Sequence, residues 1–219
     1  MNILIIEIIM WIIFLFIFFP IFLFLFYLIF DGYNKLYLNL IGVGKKWYQY
    51  LFIFPISLLS WKNHNYIKKN SRNGNINKHI AIVLANNYFP ENIHSFGLDG
   101  VIKLIKYLKK NNKSYVVYNR VNSDQLKNII NDKRVYSILL FGHGERHGLK
   151  VGKNEIVYYC EFKNHPKKHL IAQFHCNHYS GKSLSEYGEK PIFSFVTNNM
   201  QNYLSIEKQI KKIIKEKIL

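Results

Sequence analysis

Acidic residues are scarce in this sequence, which has 13 of them against 30 lysines and arginines and so carries a formal net charge of +17. Cysteine is scarcer still, with two copies in 219 residues. Two cysteines exclude a disulfide-rich scaffold and suit a reducing compartment. Residues 1–61 have few charges of either sign, with three basic and two acidic side chains. The sequence therefore joins an apolar N-terminal region to a strongly cationic body the size of one domain.

No charged residue interrupts residues 8–30, which consist mostly of isoleucine, leucine and phenylalanine. At about 1.5 Å per residue, a helix of this length spans the roughly 30 Å of a bilayer's hydrocarbon core. A cleavable signal peptide has a shorter apolar core, a basic start and a small-residue cleavage site, and this segment lacks all three. We therefore predict a retained transmembrane helix over about residues 8–30, within an anchor region that covers residues 1–61.

A second apolar segment, residues 47–61, is short and contains Pro55. It fits either an interfacial helix or a tight second span, so one or two membrane passes stay open. The Asn- and Lys-rich residues 62–78 that follow have no apolar periodicity, which predicts a linker. The positive-inside rule places this linker, and the domain predicted for residues 79–219, on the cytoplasmic side. The linker's lysines also make membrane lipid, in an anionic leaflet, an expected partner.

The pattern of the soluble part predicts an α/β domain with a mostly parallel sheet and helices on both faces. Apolar runs of strand length alternate with amphipathic stretches along it. The predicted strands are residues 79–86, 114–119, 135–142, 169–175 and 191–197, with a hairpin over residues 147–162. The predicted helices are capped by Asp99 and by Ser123, with a brief helix over residues 183–188 and a closing helix over residues 205–219. In such sheets the chemistry lies beyond the carboxyl ends of the strands.

Two of these predicted strands end in groups that can do chemistry together. Residues 135–142 lead into His143 and Gly144, and residues 169–175 lead into Cys176. If the two strands are parallel neighbours about 4.8 Å apart, the imidazole and the thiol project from adjacent strand ends. An imidazole beside a thiol takes its proton and leaves a nucleophilic thiolate. The sequence therefore predicts a catalytic pair of His143 and Cys176.

These residues resemble the caspase-like cysteine hydrolases, a clan that includes caspases, metacaspases, legumains, gingipains and CHAT-domain proteases. In that clan one apolar strand ends in His-Gly and a later one ends in the nucleophilic cysteine, as residues 138–145 and 170–176 do here. The resemblance implies that His143 is the base and Cys176 the nucleophile. It also implies that the backbone N–H groups of Gly144 and Cys176 form the oxyanion hole.

The resemblance covers residues 79–200 and implies a peptidase that acts on a protein or peptide and needs no metal ion or cofactor. Two positions depart from the clan's pattern. Phe174 stands where metacaspases place an acid, and no arginine lies between Tyr88 and Asp99, where caspases use one to hold an acidic substrate residue. The substrate preference is therefore open, as is a loss of activity.

Other interpretations fit parts of the same segment. Residues 175–183 nearly match the tyrosine-phosphatase loop, but Lys182 replaces the arginine whose planar fork grips a phosphoryl group. The same residues approach a Walker A loop, with Cys176 in place of its first glycine. Zinc is a third possibility, but the histidine spacings lie on loops without a paired CxxC motif. These spacings are His143 with His147, His165 with His169, and His175 with Cys176 and His178.

A non-enzymatic alternative is a basic module that associates with an anionic membrane. The last residues, 204–219, set isoleucines against a lysine face, as helices that lie on membranes do. Nucleic acid is not an expected partner, because the lysines are scattered and no nucleic-acid-binding motif accompanies them.

The anchor prediction has a direct test in membrane extraction. The full chain should stay in the membrane pellet after a carbonate wash, because a spanning helix is not displaced by high pH. A chain that begins near Asn75 should be soluble. Release of the full chain by carbonate would contradict the anchor.

Overall fold

The computed structural model describes residues 62–85, 98–152, 155–175, 181–196 and 203–219, together with seven separate positions between Glu7 and Ile21. The chain divides into two units, Met1–Leu59 and Ser60–Leu219. Apart from some of those separate positions, the predicted transmembrane helix (8–30) and the second apolar segment (47–61) lie outside the described residues. Within the described residues, no helix combines the length and the hydropathy needed to cross a bilayer.

A six-stranded sheet forms the centre of the second unit. Its strands are β1 (Arg72–Asn73), β2 (His79–Leu84), β3 (Tyr115–Asn119), β4 (Val135–Phe141), β8 (Leu170–Phe174) and β9 (Phe193–Val196). Their order across the sheet is β1-β3-β2-β4-β8-β9. The edge strand β1 is antiparallel to β3, and every other neighbouring pair is parallel. The predicted α/β fold with a mostly parallel sheet is confirmed.

Helices pack on both faces of this sheet, as predicted. Residues 62–69 form α1, and the other helices are α2 (Leu98–Lys110), α3 (Ser123–Asn131) and α4 (Tyr203–Lys215). On one face, Ile105 of α2 and Ile210 of α4 join the buried core with even-numbered residues of β2. On the other face, Leu126 of α3 joins the core with odd-numbered residues of β2. Every residue of β2 is buried, which explains why its sequence is a continuous apolar run rather than an alternating one.

A smaller antiparallel sheet stands between β4 and β8 in the sequence. It comprises β5 (Gly144–Glu145), β6 (Gly148–Val151) and β7 (Glu155–Tyr158), in that order. The hairpin predicted over residues 147–162 is confirmed for β6 and β7. Its last four residues, Tyr159–Phe162, form a 3-10 helix instead of strand. The tighter turn places Tyr159 and Phe162 on the same side, and both are buried, which an alternating strand would not allow.

The predicted linker over residues 62–78 is instead folded against the domain. Ile67 in α1 is 2% exposed, and the Tyr115 hydroxyl donates to the backbone oxygen of Asn70 at 3.0 Å. β1 then pairs with β3. One buried isoleucine gives no periodic signal, so the composition of this segment concealed its packing. A soluble form of the domain should therefore begin near Ser60 rather than near Asn75.

Two predicted helix caps are wrong by one residue or more. Helix α2 begins at Leu98, so Asp99 lies within its first turn. Helix α3 begins at Ser123, and Asn122 is its N-cap. The Asn122 side chain accepts a hydrogen bond from the N–H of Gln125 at 2.8 Å, and the Asn122 N–H donates to the Gln125 side chain at 3.1 Å. This reciprocal pair satisfies two N–H groups at the start of the helix.

We expect Asn122→Ala to lower the free energy of unfolding by about 1 kcal/mol, because it removes the cap acceptor from α3. The control is Asn164→Ala, which changes an exposed asparagine in a turn. Urea unfolding followed by circular dichroism measures both. Equal effects of the two substitutions would show that the cap does not stabilise this fold.

Candidate functional site

The two strands that lead to the predicted catalytic pair are parallel neighbours in register. Phe141 of β4 lies opposite Phe174 of β8, and their rings stack with centroids 4.7 Å apart. His143 and Cys176 each follow one of these paired residues by two positions. The expectation that the two strands end side by side is confirmed. Cys176 itself lies outside the described residues, so the catalytic pair stays a prediction.

The chain turns sharply between β4 and the small sheet, and His143 lies in this turn. Gly142 has φ +150°, a conformation that favours glycine because any other residue would place a Cβ against the backbone. His143 is half-buried, and its backbone oxygen accepts a hydrogen bond from the Lys150 N–H at 2.9 Å. The first turn beyond β4 is thus held by the hairpin.

Gly144 lies where the small sheet and the end of β8 meet. A Cβ at this position would lie 2.5 Å from the Gly148 oxygen and 3.0 Å from Nδ1 of His175. Residue 144 therefore has to be glycine if both neighbours are to approach this closely. The hydrogen bond between residues 143 and 150 makes Gly144 and Leu149 the following, non-hydrogen-bonded pair of the ladder. The N–H of Gly144 accordingly points away from β6.

Three buried polar side chains form a network beneath the end of β8. The Tyr159 hydroxyl lies 2.7 Å from Nε2 of His175, and the Gln173 amide nitrogen lies 3.3 Å from the same atom. His175 is 1% exposed, and the other two side chains are completely buried. Gln173 also accepts the Leu184 N–H at 2.8 Å. The network therefore joins β8, the 3-10 helix after the hairpin and the 3-10 helix Leu184–Glu186.

One hydrogen bond joins the Tyr159 hydroxyl to Nε2 of His175, and the tautomer of the ring decides which of the two donates. The Gln173 side-chain oxygen accepts from the Leu184 N–H, and its nitrogen donates to the Arg146 backbone oxygen at 3.3 Å as well as facing His175. Burial raises the pKa of Tyr159 well above its usual value, so its hydroxyl stays protonated beside His175. His175, the residue before Cys176, is thus held both by its place at the end of β8 and by the hydrogen bonds of its side chain.

An ion pair joins the 3-10 helix Leu184–Glu186 to the turn that follows His143. Arg146 lies 3.0 Å from a Glu186 carboxylate oxygen, which also accepts from the Ser183 hydroxyl and N–H at 2.7 Å each. These Ser183 hydrogen bonds, together with Arg146, hold the pKa of Glu186 below its usual value. A Cβ at Gly181 would lie 2.8 Å from the His147 Cβ. The chain therefore returns to the His143 turn on both sides of residues 176–180.

The histidine spacings that suggested zinc do not bring ligands together where they are described. His165 and His169 direct their Nε2 atoms to different backbone oxygens, those of Leu184 at 3.3 Å and Ile218 at 2.8 Å. In the part of the chain that the structure covers, no three histidine, cysteine or carboxylate side chains converge as metal ligands. His178 and Cys176 lie outside that part.

The phosphatase-like interpretation of residues 175–183 gains little from the geometry after the loop. The next element, Leu184–Glu186, is a 3-10 helix of three residues, too short to offer a helix N-terminus to a phosphoryl group. The Lys182 ammonium lies 6.0 Å from the centre of the Tyr187 ring.

A scan against protein-family models finds no match for this chain, and neither does a search of curated proteins. The resemblance to the caspase-like hydrolases therefore stays an expectation that rests on the residues at the ends of two strands.

The network of Gln173, His175 and Tyr159 is a part of the site that the sequence prediction missed. Gln173 and His175 are two residues apart on β8 and its extension, so they share one face of the strand. Two polar residues at that spacing in an otherwise apolar run signal a buried polar network. The third member, Tyr159, belongs to a distant element, and its contact was not readable from the sequence.

We expect Tyr159→Phe to lower the free energy of unfolding by about 1–3 kcal/mol, because it removes the 2.7 Å hydrogen bond to the buried Nε2 of His175. Tyr158→Phe is the matched control, since the neighbouring ring is 44% exposed. Urea unfolding measures both variants. A Tyr159 variant as stable as its control would show that this hydroxyl does not stabilise the network.

Proposed function

We propose that this protein is a membrane-anchored, caspase-like cysteine hydrolase that cleaves proteins or peptides with His143 and Cys176. The observation that carries the proposal is the parallel, in-register pairing of β4 and β8, which ends both strands at one edge of the sheet. This is the edge where α/β domains place their chemistry. An imidazole and a thiol that follow neighbouring strand ends by the same number of residues are suited to proton transfer.

In the proposed mechanism, His143 removes the proton from the Cys176 thiol, and the thiolate attacks the carbonyl carbon of the scissile bond. The N–H groups of Gly144 and Cys176 stabilise the negative oxygen that forms. The protonated His143 then gives its proton to the leaving amine, which departs and leaves a thioester. Water, deprotonated by His143, attacks the thioester and releases the acid and the thiolate. No metal ion or cofactor enters this sequence of steps.

The packing around the site supports this assignment. Gly144 leaves room for His175 to approach the small sheet, and His175 is hydrogen-bonded one residue before the proposed nucleophile. Arg146 and Glu186 tie together the turns that follow the two strands. A nucleophile and a base held from both sides lose little entropy on reaching the transition state. Phe174 carries no charge, so substrate selection does not use an acid at that position.

The membrane part of the proposal rests on residues 8–30 and on the lysines that follow the anchor region. An anchor of this kind confines the hydrolase to the cytoplasmic face of one membrane, where its substrates are proteins of that surface. The non-catalytic alternative keeps the anchor and the basic domain but gives no role to Cys176.

We expect the Cys176 thiol to be alkylated by iodoacetamide at pH 7 roughly ten-fold faster than the Cys160 thiol. A free thiol with a pKa near 8.5 is only a few per cent ionised at this pH, whereas one beside an imidazolium is largely thiolate. Cys160 is a stringent reference, because it is exposed and so accessible to the reagent. Mass spectrometry of the two peptides gives both rates in the same sample.

His143→Ala should bring the Cys176 rate down to that of Cys160, whereas His169→Ala, which removes an imidazole just before β8 at the opposite edge of the sheet, should not change it. Cys176→Ser should abolish peptide hydrolysis, and Cys160→Ser should preserve it. The phosphatase alternative expects instead that phosphate protects Cys176 and that Lys182→Ala is the damaging change. The proposal fails if Cys176 reacts no faster than Cys160 in the folded protein.

A further inference from the structure

A lysine-rich depression of about 760 Å³ lies at the edge of the sheet opposite the candidate active site. It is lined by residues that precede the strands: Lys78 lies just before β2, Ser114 just before β3, and His169 just before β8. The end of the chain after α4 closes it with Lys217. No group of the proposed hydrolase site lines this depression, so whatever it does is separate from peptide cleavage.

The composition of the lining is strongly cationic. Five of its twelve residues are lysines, whereas lysine and arginine together make up 30 of the chain's 219 residues. None of the twelve is an aspartate or a glutamate. Like charges gathered in a concave, partly dehydrated surface repel one another, and an anion bound among them removes that cost. The five lysines are Lys78, Lys113, Lys167, Lys168 and Lys217.

Lys168 is a second, independent sign that an anion belongs there. Its side chain is 1% exposed, and its ammonium donates to the backbone oxygens of Asp132 and Val135 at 2.8 Å each. Both acceptors are neutral, and the Asp132 carboxylate makes its own ion pair with Arg134 at 2.8 Å. The Asp132 carboxylate is the acidic group whose charge Lys168 feels, and it is shared with Arg134, so a bound anion would add a further favourable partner for this buried cation. Burial lowers the pKa of Lys168 to about 8 although Asp132 raises it, and a bound anion would act in the same direction as Asp132.

We propose that this depression, the lysine basin, binds a multivalent phosphate, carried either by a lipid headgroup or by a soluble polyphosphate. Four of its lysines are exposed or half-buried, and Lys168 is buried. A single phosphate is too small to meet ammonium groups spread over a depression of this volume, whereas clustered phosphates can meet several at once. Ammonium groups bind phosphate as point charges without a fixed geometry, which suits a ligand with several equivalent oxygens.

The apolar part of the basin is consistent with a ligand that covers it. The Lys78 ammonium lies 5.5 Å from the centre of the Tyr136 ring, which positions that cation over the depression. Ile192 is 60% exposed beside it. A phosphate cluster on a carbon scaffold would contact both the lysines and this apolar patch.

Lysine footprinting on the full chain in mild detergent tests the proposal. With inorganic triphosphate as the probe, acetylation of Lys78, Lys113, Lys167 and Lys217 should slow at least five-fold. Acetylation of Lys163 and Lys208, which are exposed elsewhere on the domain, should change less than two-fold. The proposal is overturned if triphosphate protects all six lysines equally, or protects none of the basin lysines, and the bilayer experiment described next gives the same result.

The bilayer experiment places the full chain in phosphatidylcholine discs with or without phosphatidylinositol bisphosphate. Control discs contain enough phosphatidylserine to carry the same total charge as the bisphosphate discs. Protection of the basin lysines by the bisphosphate lipid alone identifies a headgroup as the source. Protection by triphosphate alone identifies a soluble ligand. Either result supports the basin, and the footprint of the unmodified chain keeps the test decisive even if a variant fails to fold.

Charge reversal provides the matched comparison. Lys113→Glu with Lys167→Glu should weaken binding of the protecting ligand at least ten-fold at physiological salt. Lys163→Glu with Lys208→Glu changes the net charge equally and should weaken it less than two-fold. Equal losses in the two double variants would show that only the overall charge of the domain attracts phosphate. Alkylation of Cys176 is unaffected by any of these outcomes, so failure here leaves the hydrolase proposal standing.

Discussion

The pairing of β4 with β8 is the constraint on which the rest of this domain depends. Both strands are buried on both faces, so a slip of their register by one residue would turn every side chain to the wrong core. Burial of one large aliphatic side chain is worth about 1.5–3 kcal/mol, and each of these strands contributes several. A slip would leave these side chains buried but mispacked, at a cost of about 1–3 kcal/mol for each overpacked position. The positions of the residues just beyond the strands follow from that register.

Polar contacts fix one conformation at the end of β8, which apolar packing alone would not do. Gln173, His175 and Tyr159 satisfy one another in a region without solvent, and each has an orientation that the others require. A buried network of this kind is costly if incomplete and rigid if complete. It restrains the strand one residue before Cys176, the residue that we propose as the nucleophile.

Much of the fold could be predicted from the sequence, because its strands are buried on both faces and read as unbroken apolar runs. The hairpin was predictable as well, whereas the order of the strands across the sheet was not predicted. The packing of residues 62–73 was not predictable, since Ile67 is a single buried side chain in a polar stretch. The N-cap of α3 was predicted at Ser123 but lies at Asn122, because both residue types cap helices and the local sequence does not distinguish them. The polar network and the lysine basin each join residues far apart in the chain, which no local pattern records.

The two residues of β1 have a consequence out of proportion to their length. Without them β3 would present a row of unpaired N–H and C=O groups along the edge of the sheet, which is a template for another chain to add to. The short strand occupies this edge and brings in Arg72 as a charged side chain there. The segment that precedes β2 thus acts as a guard against intermolecular strand addition. In the membrane-anchored protein that we propose, copies would meet at high local concentration, and there this protection would count most.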